Sequence, residues 1–170
     1  AQILVEAGLV PGLTPGRVVV LPCCYGGELG PDLTAVAGRL GLAEDEVVRL
    51  HAGAEYLVYF IGFTPGHPYL GGMPDRLTIA RLETPRPKTP VGSVGIGGSQ
   101  CSIYPVESPG GFWVLGRTPL RLYDPDSADP ILLRPGDRVG FRVIDAAEFD
   151  AIAREIASGV FTPRIEEPLR

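Results

Sequence analysis

A chain of 170 residues can bury one substantial core, and its length points to one domain with room for an appended lobe. Its 15 basic residues are scattered among 20 acidic ones, and a net charge of -5 argues against nucleic-acid binding, which needs clustered Lys and Arg to neutralise phosphates. No apolar run approaches the roughly 20 residues of a membrane-spanning helix, and the opening stretch AQILVEAGLVPGLTPG is not expected to act as a secretory signal, lacking a basic leader and a long apolar centre.

Residues 1–16 are apolar, with Pro11, Gly12, Pro15 and Gly16 marking turns ahead of an expected strand at 17–21. Pro31 suits a first helical turn, and Leu33, Val36, Ala37 and Leu40 recur at helical spacing up to Gly41. A second helix is expected at 43–52, with Glu44, Asp45 and Glu46 at its positive end. His51 fits there as a favourable residue at the negative end, with Gly53 just beyond. Residues 55–61 read as a strand ending at Gly62. Short extended runs follow at 77–82, 92–96, 101–104, 112–116, 120–123 and 138–144. Strands this closely spaced, parted by Gly and Pro turns, predict a sandwich or closed barrel rather than alternating β-α units. Asp145 with Glu148 reads as a capping-box start to a last helix, with Phe149, Ile152, Ala153 and Ile156 on one face and Gly159 closing it. The expected fold is mainly β with peripheral helices.

Three cysteines, of which Cys23 and Cys24 are adjacent, suggest a reducing compartment and hence a cytoplasmic protein. Together with His51 and His67 they match no zinc-site spacing, so no metal is expected. A reactive thiolate needs a basic neighbourhood, which none of the three has in sequence, and Cys101 reads as a small buried strand residue.

The densest signal runs from residue 59 to 117, as YFIGFTPGHPYLGGMP, TPVGSVGIGGSQCSIYP and SPGGFWVLGR. Such glycine and proline blocks build pockets, because glycine lets a ligand approach the main chain and proline freezes turns. His67, in a loop between Gly66 and Pro68, either lines a pocket, moves protons near its ordinary pKa of about 6.5, or is a neutral loop residue. Tyr69 and Tyr104 either orient a small polar ligand or pack and bond the backbone. Gln100 carries both donor and acceptor and suits an amide ligand, or else ties its own turn. Lys88 and Arg86, on a proline-stiffened approach to a strand, contact an anion or are solvated. Ser108, Pro109, Gly110 and Gly111 read as the tightest turn, whose N–H groups can form an anion nest. Ser108 has no Gly-x-Ser-x-Gly setting, so a catalytic triad is not expected. Arg117 and Thr118 bind a carboxylate or fix the next turn, and Asp137 reads as structural. No Walker sequence occurs, and GSVGIGGS lacks the strand-to-helix setting of a dinucleotide site, so the chain is expected to bind no cofactor and to hydrolyse no ATP alone.

Five blocks, CYGGELGPDLTAVA (24–37), GFTPGHPYLGG (62–72), PVGSVGIGGSQCSIYP (90–105), SPGGFWVLGRTPLRLYD (108–124) and LLRPGDRVGF (132–141), fall in one order. Together they resemble the KipI family, also labelled allophanate hydrolase subunit 1 and, in prokaryotes, the B component of 5-oxoprolinase, a group similar to the C/D part of a carboxyltransferase. The resemblance implies a cyclophilin-like β-barrel at 17–144, followed by a C-terminal helix and tail at 145–170. It makes residues 1–16 a linker or the remnant of a small α/β lobe. It implies a subunit of an amide-processing complex, foremost the ATP-dependent 5-oxoprolinase that converts 5-oxoproline to glutamate. A KipA-like partner, similar to the C component of 5-oxoprolinase, and an ATP-hydrolysing subunit are then expected, with ATP used by the complex. The candidate catalytic residues are His67, Gln100 and Tyr104; the candidate substrate-binding residues are Tyr69, Lys88, Ser108, Gly110, Gly111 and Arg117. Many family sequences carry an aromatic residue such as Phe at the position of His67, which favours pocket lining there. Two alternatives stay open: action on urea- or allophanate-type amides, and a regulatory module inhibiting a sensor histidine kinase. In the latter Phe63, Tyr69, Phe112 and Trp113 would be contact anchors.

Overall fold

The computed structural model describes residues 16–166, so the expected linker at 1–16, Gly16 apart, lies outside the described residues. Strands β1 (Val18–Tyr25), β2 (Tyr56–Ile61), β3 (Pro68–Gly71), β5 (Ser93–Gly97), β6 (Gln100–Ile103), β8 (Trp113–Arg117) and β9 (Arg138–Ile144) form a closed seven-stranded barrel in the order β1-β8-β5-β6-β3-β2-β9. Closure comes from parallel pairing of β1 with β9, in register from Val18↔Arg138 to Cys24↔Ile144. β10 (Arg164–Glu166) adds to β1, and β4 (Arg86–Thr89) pairs with β7 (Ser108–Gly110) as a separate ribbon. This is the mainly β fold with peripheral helices that the sequence predicts, closed as the barrel that the family resemblance implies.

β1 runs past its expected end at residue 21 and carries Pro22 mid-strand. Proline has no N–H to give a ladder, so it needs an unpaired side. One side of β1 pairs with β9 throughout, whereas the other pairs with β10 only at 18–20 and with β8 only at Cys24 and Tyr25. Pro22 occupies the gap between those two contacts. At the seam, Arg17 donates to both carboxylate oxygens of Asp137, at 3.1 and 2.6 Å, and to Leu132 O at 2.9 Å, while Asp137 also accepts from Arg134 N at 2.8 Å. Asp137 is thus the structural residue expected.

Three helices cover the barrel: α1 (Leu33–Leu40), α2 (Glu44–Ala52) and α3 (Ala146–Ala157). α1 buries Leu33, Val36 and Ala37 and stops at Gly41 in the left-handed region, φ 65°. Asp145 caps α3 by accepting from Glu148 N at 2.8 Å; the Glu148 carboxylate turns instead to Arg142.

His51 overturns its expected role. It is fully buried rather than a cation at a helix end, with Nδ1 2.8 Å from the Tyr25 hydroxyl, Nε2 3.3 Å from Cys101 Sγ and its ring 4.7 Å from that of Phe141. Burial lowers its pKa to about 3, so it is neutral and gives no charge to the helix terminus.

Two expected strands are absent. Over 77–82 the chain forms a short 3-10 turn (Asp75–Leu77) and a single bridge from Ile79 to Gly98. Leu77 and Ile79 are apolar because this strap packs on the core, and Ala80 O is taken by the Trp113 indole N–H at 2.7 Å. Over 120–123 the pairing is limited to a Tyr123–Ile131 bridge and the bond from Leu132 N to Leu122 O at 3.0 Å, and Leu120 and Leu122 are apolar because they are buried. The reverse error occurs at 108–111, where β7 replaces the expected turn. Gly110 and Ser108 face Arg86 and Thr89 across a ladder, so the stretch forms no anion nest.

Both histidines are buried and neutral in the fold, His67 with a pKa lowered to about 4. The unfolded chain, titrating near 6.5, therefore binds more protons below that pH. Stability is full above about pH 6.5 and falls as pH drops, by up to about 1.4 kcal/mol per pH unit for each histidine. Urea denaturation at a series of pH values should show this slope, with His51→Gln reducing it by one histidine's share. Asp137→Ala, which removes the buried acceptor of two Arg17 bonds and of the Arg134 N–H at the seam, should cost about 3 kcal/mol in the same assay.

Candidate functional site

The site begins with a bulge in β2. The ladder to β3 shifts between Val58↔Leu70 and Phe60↔Tyr69, so Tyr59 is an extra residue. One inserted residue reverses which face the following side chains take. Phe60 is consequently 50% exposed and stacks on Tyr69, with ring centroids 4.2 Å apart. The next turn holds Phe63 at φ 69°, rare for a side chain of its size, and leaves it 66% exposed.

Beside this turn lies a cavity of about 290 Å³, near the lower end of small-molecule sites. Of the residues named from the sequence it brings together His67, Tyr69, Tyr104 and Pro109 to Gly111, with Phe63 and Phe112 of the regulatory reading, and it adds Arg81 and Pro85. His67 lies, as expected, in the loop between β2 and β3, where its N–H bonds Thr64 O at 3.1 Å and its carbonyl accepts from Gly62 N at 3.0 Å, and it is buried. Tyr69 pairs with Ser102 across β3 and β6, which puts the serine hydroxyl against the His67 ring. Ser102 donates to Pro68 O at 2.8 Å, so its oxygen accepts from His67 Nε2–H at 2.7 Å. This hydrogen-bond pattern assigns the tautomer and leaves Nδ1 as an acceptor. Nδ1 is buried and has no partner among the described residues.

Tyr104 meets His67 edge to face, ring centroids 5.4 Å apart. Burial raises its phenol pKa, with smaller opposing effects from the Phe112 main chain, Thr89, Arg81 and Arg86, so at neutral pH the hydroxyl keeps its proton and can donate. Gly110 has no side chain because a Cβ there would lie 2.1 Å from the Tyr104 oxygen. Gly97 has the same cause: its Cβ would come within 2.7 Å of the Phe112 ring and 2.9 Å of Arg81 Cγ. The resulting trough lets the Arg81 guanidinium lie 4.7 Å over the Phe112 ring.

Other expected residues lie elsewhere. Gln100 lines a separate recess with Tyr59, Gly71 and Asp75, and it reaches the cavity only by accepting from Arg81 Nη2 at 3.2 Å. Lys88 is exposed and pairs with Glu107 at 3.0 Å. Arg86 pairs with Asp32, whose other oxygen accepts from Val114 N at 2.7 Å, tying β4 to α1 and β8. Arg117 donates to Val91 O at 2.7 Å and fixes its turn. Ser108 is buried, its Oγ without a partner among the described residues. Trp113, named as a contact anchor in the regulatory reading, is buried and bonded to Ala80. Sequence reasoning missed Arg81 and Ser102. The alternating glycines Gly95 and Gly97 were the available sign that something flat lies on β5.

Among the described residues no cluster of His, Cys, Asp and Glu is arranged to hold a metal ion, and no helix is long and apolar enough to cross a membrane.

A family model for the carboxyltransferase domain, subdomain C and D, matches residues 7–133. The chain is 48% identical to the B component of 5-oxoprolinase from Bacillus subtilis (strain 168) over 139 residues, 82% of this chain and 58% of that protein. It is 52% identical to the B component of 5-oxoprolinase from Escherichia coli O157:H7 over 125 residues, 74% of this chain and 57% of that one. The crystal structure of a conserved uncharacterised protein from Pyrococcus horikoshii matches with a TM-score of 0.75 at 49% identity, over 78% of this chain and 61% of that one. The chain thus spans about three-fifths of the length of these relatives. Since the model match covers about three-quarters of the chain, with six of the seven barrel strands and all the cavity-lining residues, the chain belongs to the carboxyltransferase subdomain C and D family, the KipI group that its five blocks resemble.

Proposed function

We propose that this chain is the B-type component of an ATP-dependent 5-oxoprolinase, and that its cavity binds the lactam ring of 5-oxoproline. The observation that carries this reading is a small aromatic cavity lined by the His67 ring and the Tyr104 phenol, with His67 Nδ1 buried and unpartnered among the described residues while Nε2 bonds Ser102. A lactam is a flat ring with an N–H donor beside a carbonyl acceptor. His67 Nδ1 suits the first, the Tyr104 hydroxyl suits the second, and Phe63, Tyr69 and Phe112 suit the ring faces. The names of the relatives from Bacillus subtilis and Escherichia coli support the same substrate.

The chain's own work is to bind, orient and exclude water. Cys23, Cys24 and Cys101 are buried with thiol pKa values raised by desolvation, which disfavours a thiolate nucleophile. Ring opening by ATP-dependent chemistry is therefore assigned to a KipA-like partner and an ATP-hydrolysing subunit. The exposed Phe63 of the cavity lining, and the exposed Phe60 stacked on Tyr69, suit coverage by the KipA-like partner. Three reduced cysteines accord with a cytoplasmic setting.

The test is ATP-dependent formation of glutamate from 5-oxoproline by the full-length protein assembled with both partners. Turnover should require this subunit, and a verified complex that makes no glutamate would remove the substrate assignment. Tyr104→Phe, which deletes one donor, should lower kcat/KM about 10-fold. His67→Phe should raise KM by a similar factor. Because folded His67 titrates at about 4, substrate affinity should be flat from about pH 6 to 8 and decline only as the ring is protonated below about pH 5.

A further inference from the structure

We infer that Arg81 is the anchor for a substrate carboxylate, and that Gln100 acts through Arg81 as its positioning residue. This rests on the lactam reading of the cavity and narrows it to a cyclic amide that also carries an acid group. In this acidic protein, arginines at positions 17, 49, 76, 86, 134, 138, 142 and 164 all pair with a carboxylate. Arg81, like Arg39, Arg117, Arg121 and Arg154, has no carboxylate ion pair among the described residues, and of these five it is the one that lines the cavity.

Its two contacts orient it without neutralising it. Stacking over Phe112 fixes the guanidinium plane, and the neutral Gln100 amide oxygen takes one Nη2 hydrogen at 3.2 Å. A guanidinium has five N–H donors in a rigid fork, so the rest stay available for bidentate binding of a carboxylate. The Gly97 trough is what allows the side chain to lie flat, since a Cβ would strike both Arg81 and Phe112. In 5-oxoproline the ring nitrogen and the carboxylate are bonded to the same carbon. Two recognition groups lining one small cavity, His67 for the N–H and Arg81 for the anion, match that arrangement. A neutral cyclic amide or urea would leave Arg81 unused.

Equilibrium binding to the full-length protein, alone and with its companion subunit, tests this with 5-oxoproline and with 2-pyrrolidinone, the same ring without the acid. The wild type should prefer 5-oxoproline by about 10- to 100-fold, the range of a charge-assisted pair. Arg81→Met, which keeps the stacked stem, should erase that preference and leave 2-pyrrolidinone binding unchanged. Gln100→Glu should do nearly the same, because the new carboxylate occupies the fork. Gln100→Leu should raise KM for 5-oxoproline several-fold with kcat unchanged. If Arg81→Met keeps the preference, or weakens both ligands equally, Arg81 is no carboxylate anchor and the inference fails while the lactam reading stands. Likewise, if Gln100→Leu lowers kcat, or Gln100→Glu leaves the preference intact, the positioning role fails. If neither ligand binds the wild-type protein in either form, the lactam reading fails and takes the inference with it.

Discussion

Parallel pairing of β1 with β9 closes the barrel and fixes everything else in place. An open sheet would present two unpaired edges; closure removes them and holds each strand at one tilt and register. The pair is non-local in sequence, and the Arg17–Asp137 contact fastens its start. Because the sheet is closed, β3 is held between β2 and β6 with Tyr69 opposite Ser102. That register alone puts the serine hydroxyl against His67. The tautomer on which the lactam reading depends is therefore a consequence of barrel geometry.

The same economy of space shapes the cavity. Glycine at 97 and 110 is the absence of a side chain where Phe112, Arg81 and the Tyr104 phenol must lie. Burial then tunes the chemistry. It keeps His67 neutral and Tyr104 protonated, so the cavity offers one acceptor and one donor rather than an acid–base pair. One donor and one acceptor suit the proposed binding of an amide better than its cleavage.

Much of this was legible in the residues. Strands with β-branched or aromatic runs between glycines, as at β5, β8 and β9, read correctly, as did Asp145 capping α3 and the clustering of His67, Tyr69, Tyr104, Gly110 and Gly111. What was hidden depended on contacts distant in sequence. β3 is four residues long and starts with proline, so nothing local distinguishes it from a loop. The strap at 77–82 looks like a strand because burial under a loop leaves the same alternation of apolar residues as a ladder. Gln100 was chosen for its amide, yet its partner is Arg81, nineteen positions away. The burial of His51 depends on Tyr25, Cys101 and Phe141, which only the folded barrel assembles around it.

The most direct check on the account is to locate the ligand. A titration of isotope-labelled full-length protein with 5-oxoproline, followed by backbone amide and histidine ring NMR signals, would do so. The account predicts shifts concentrated at Phe63, His67, Gly110, Gly111 and Phe112, with His67 Nδ1 moving as it gains a hydrogen bond. Shifts confined to the recess of Tyr59, Gly71 and Asp75, with the His67 ring unmoved, would contradict it.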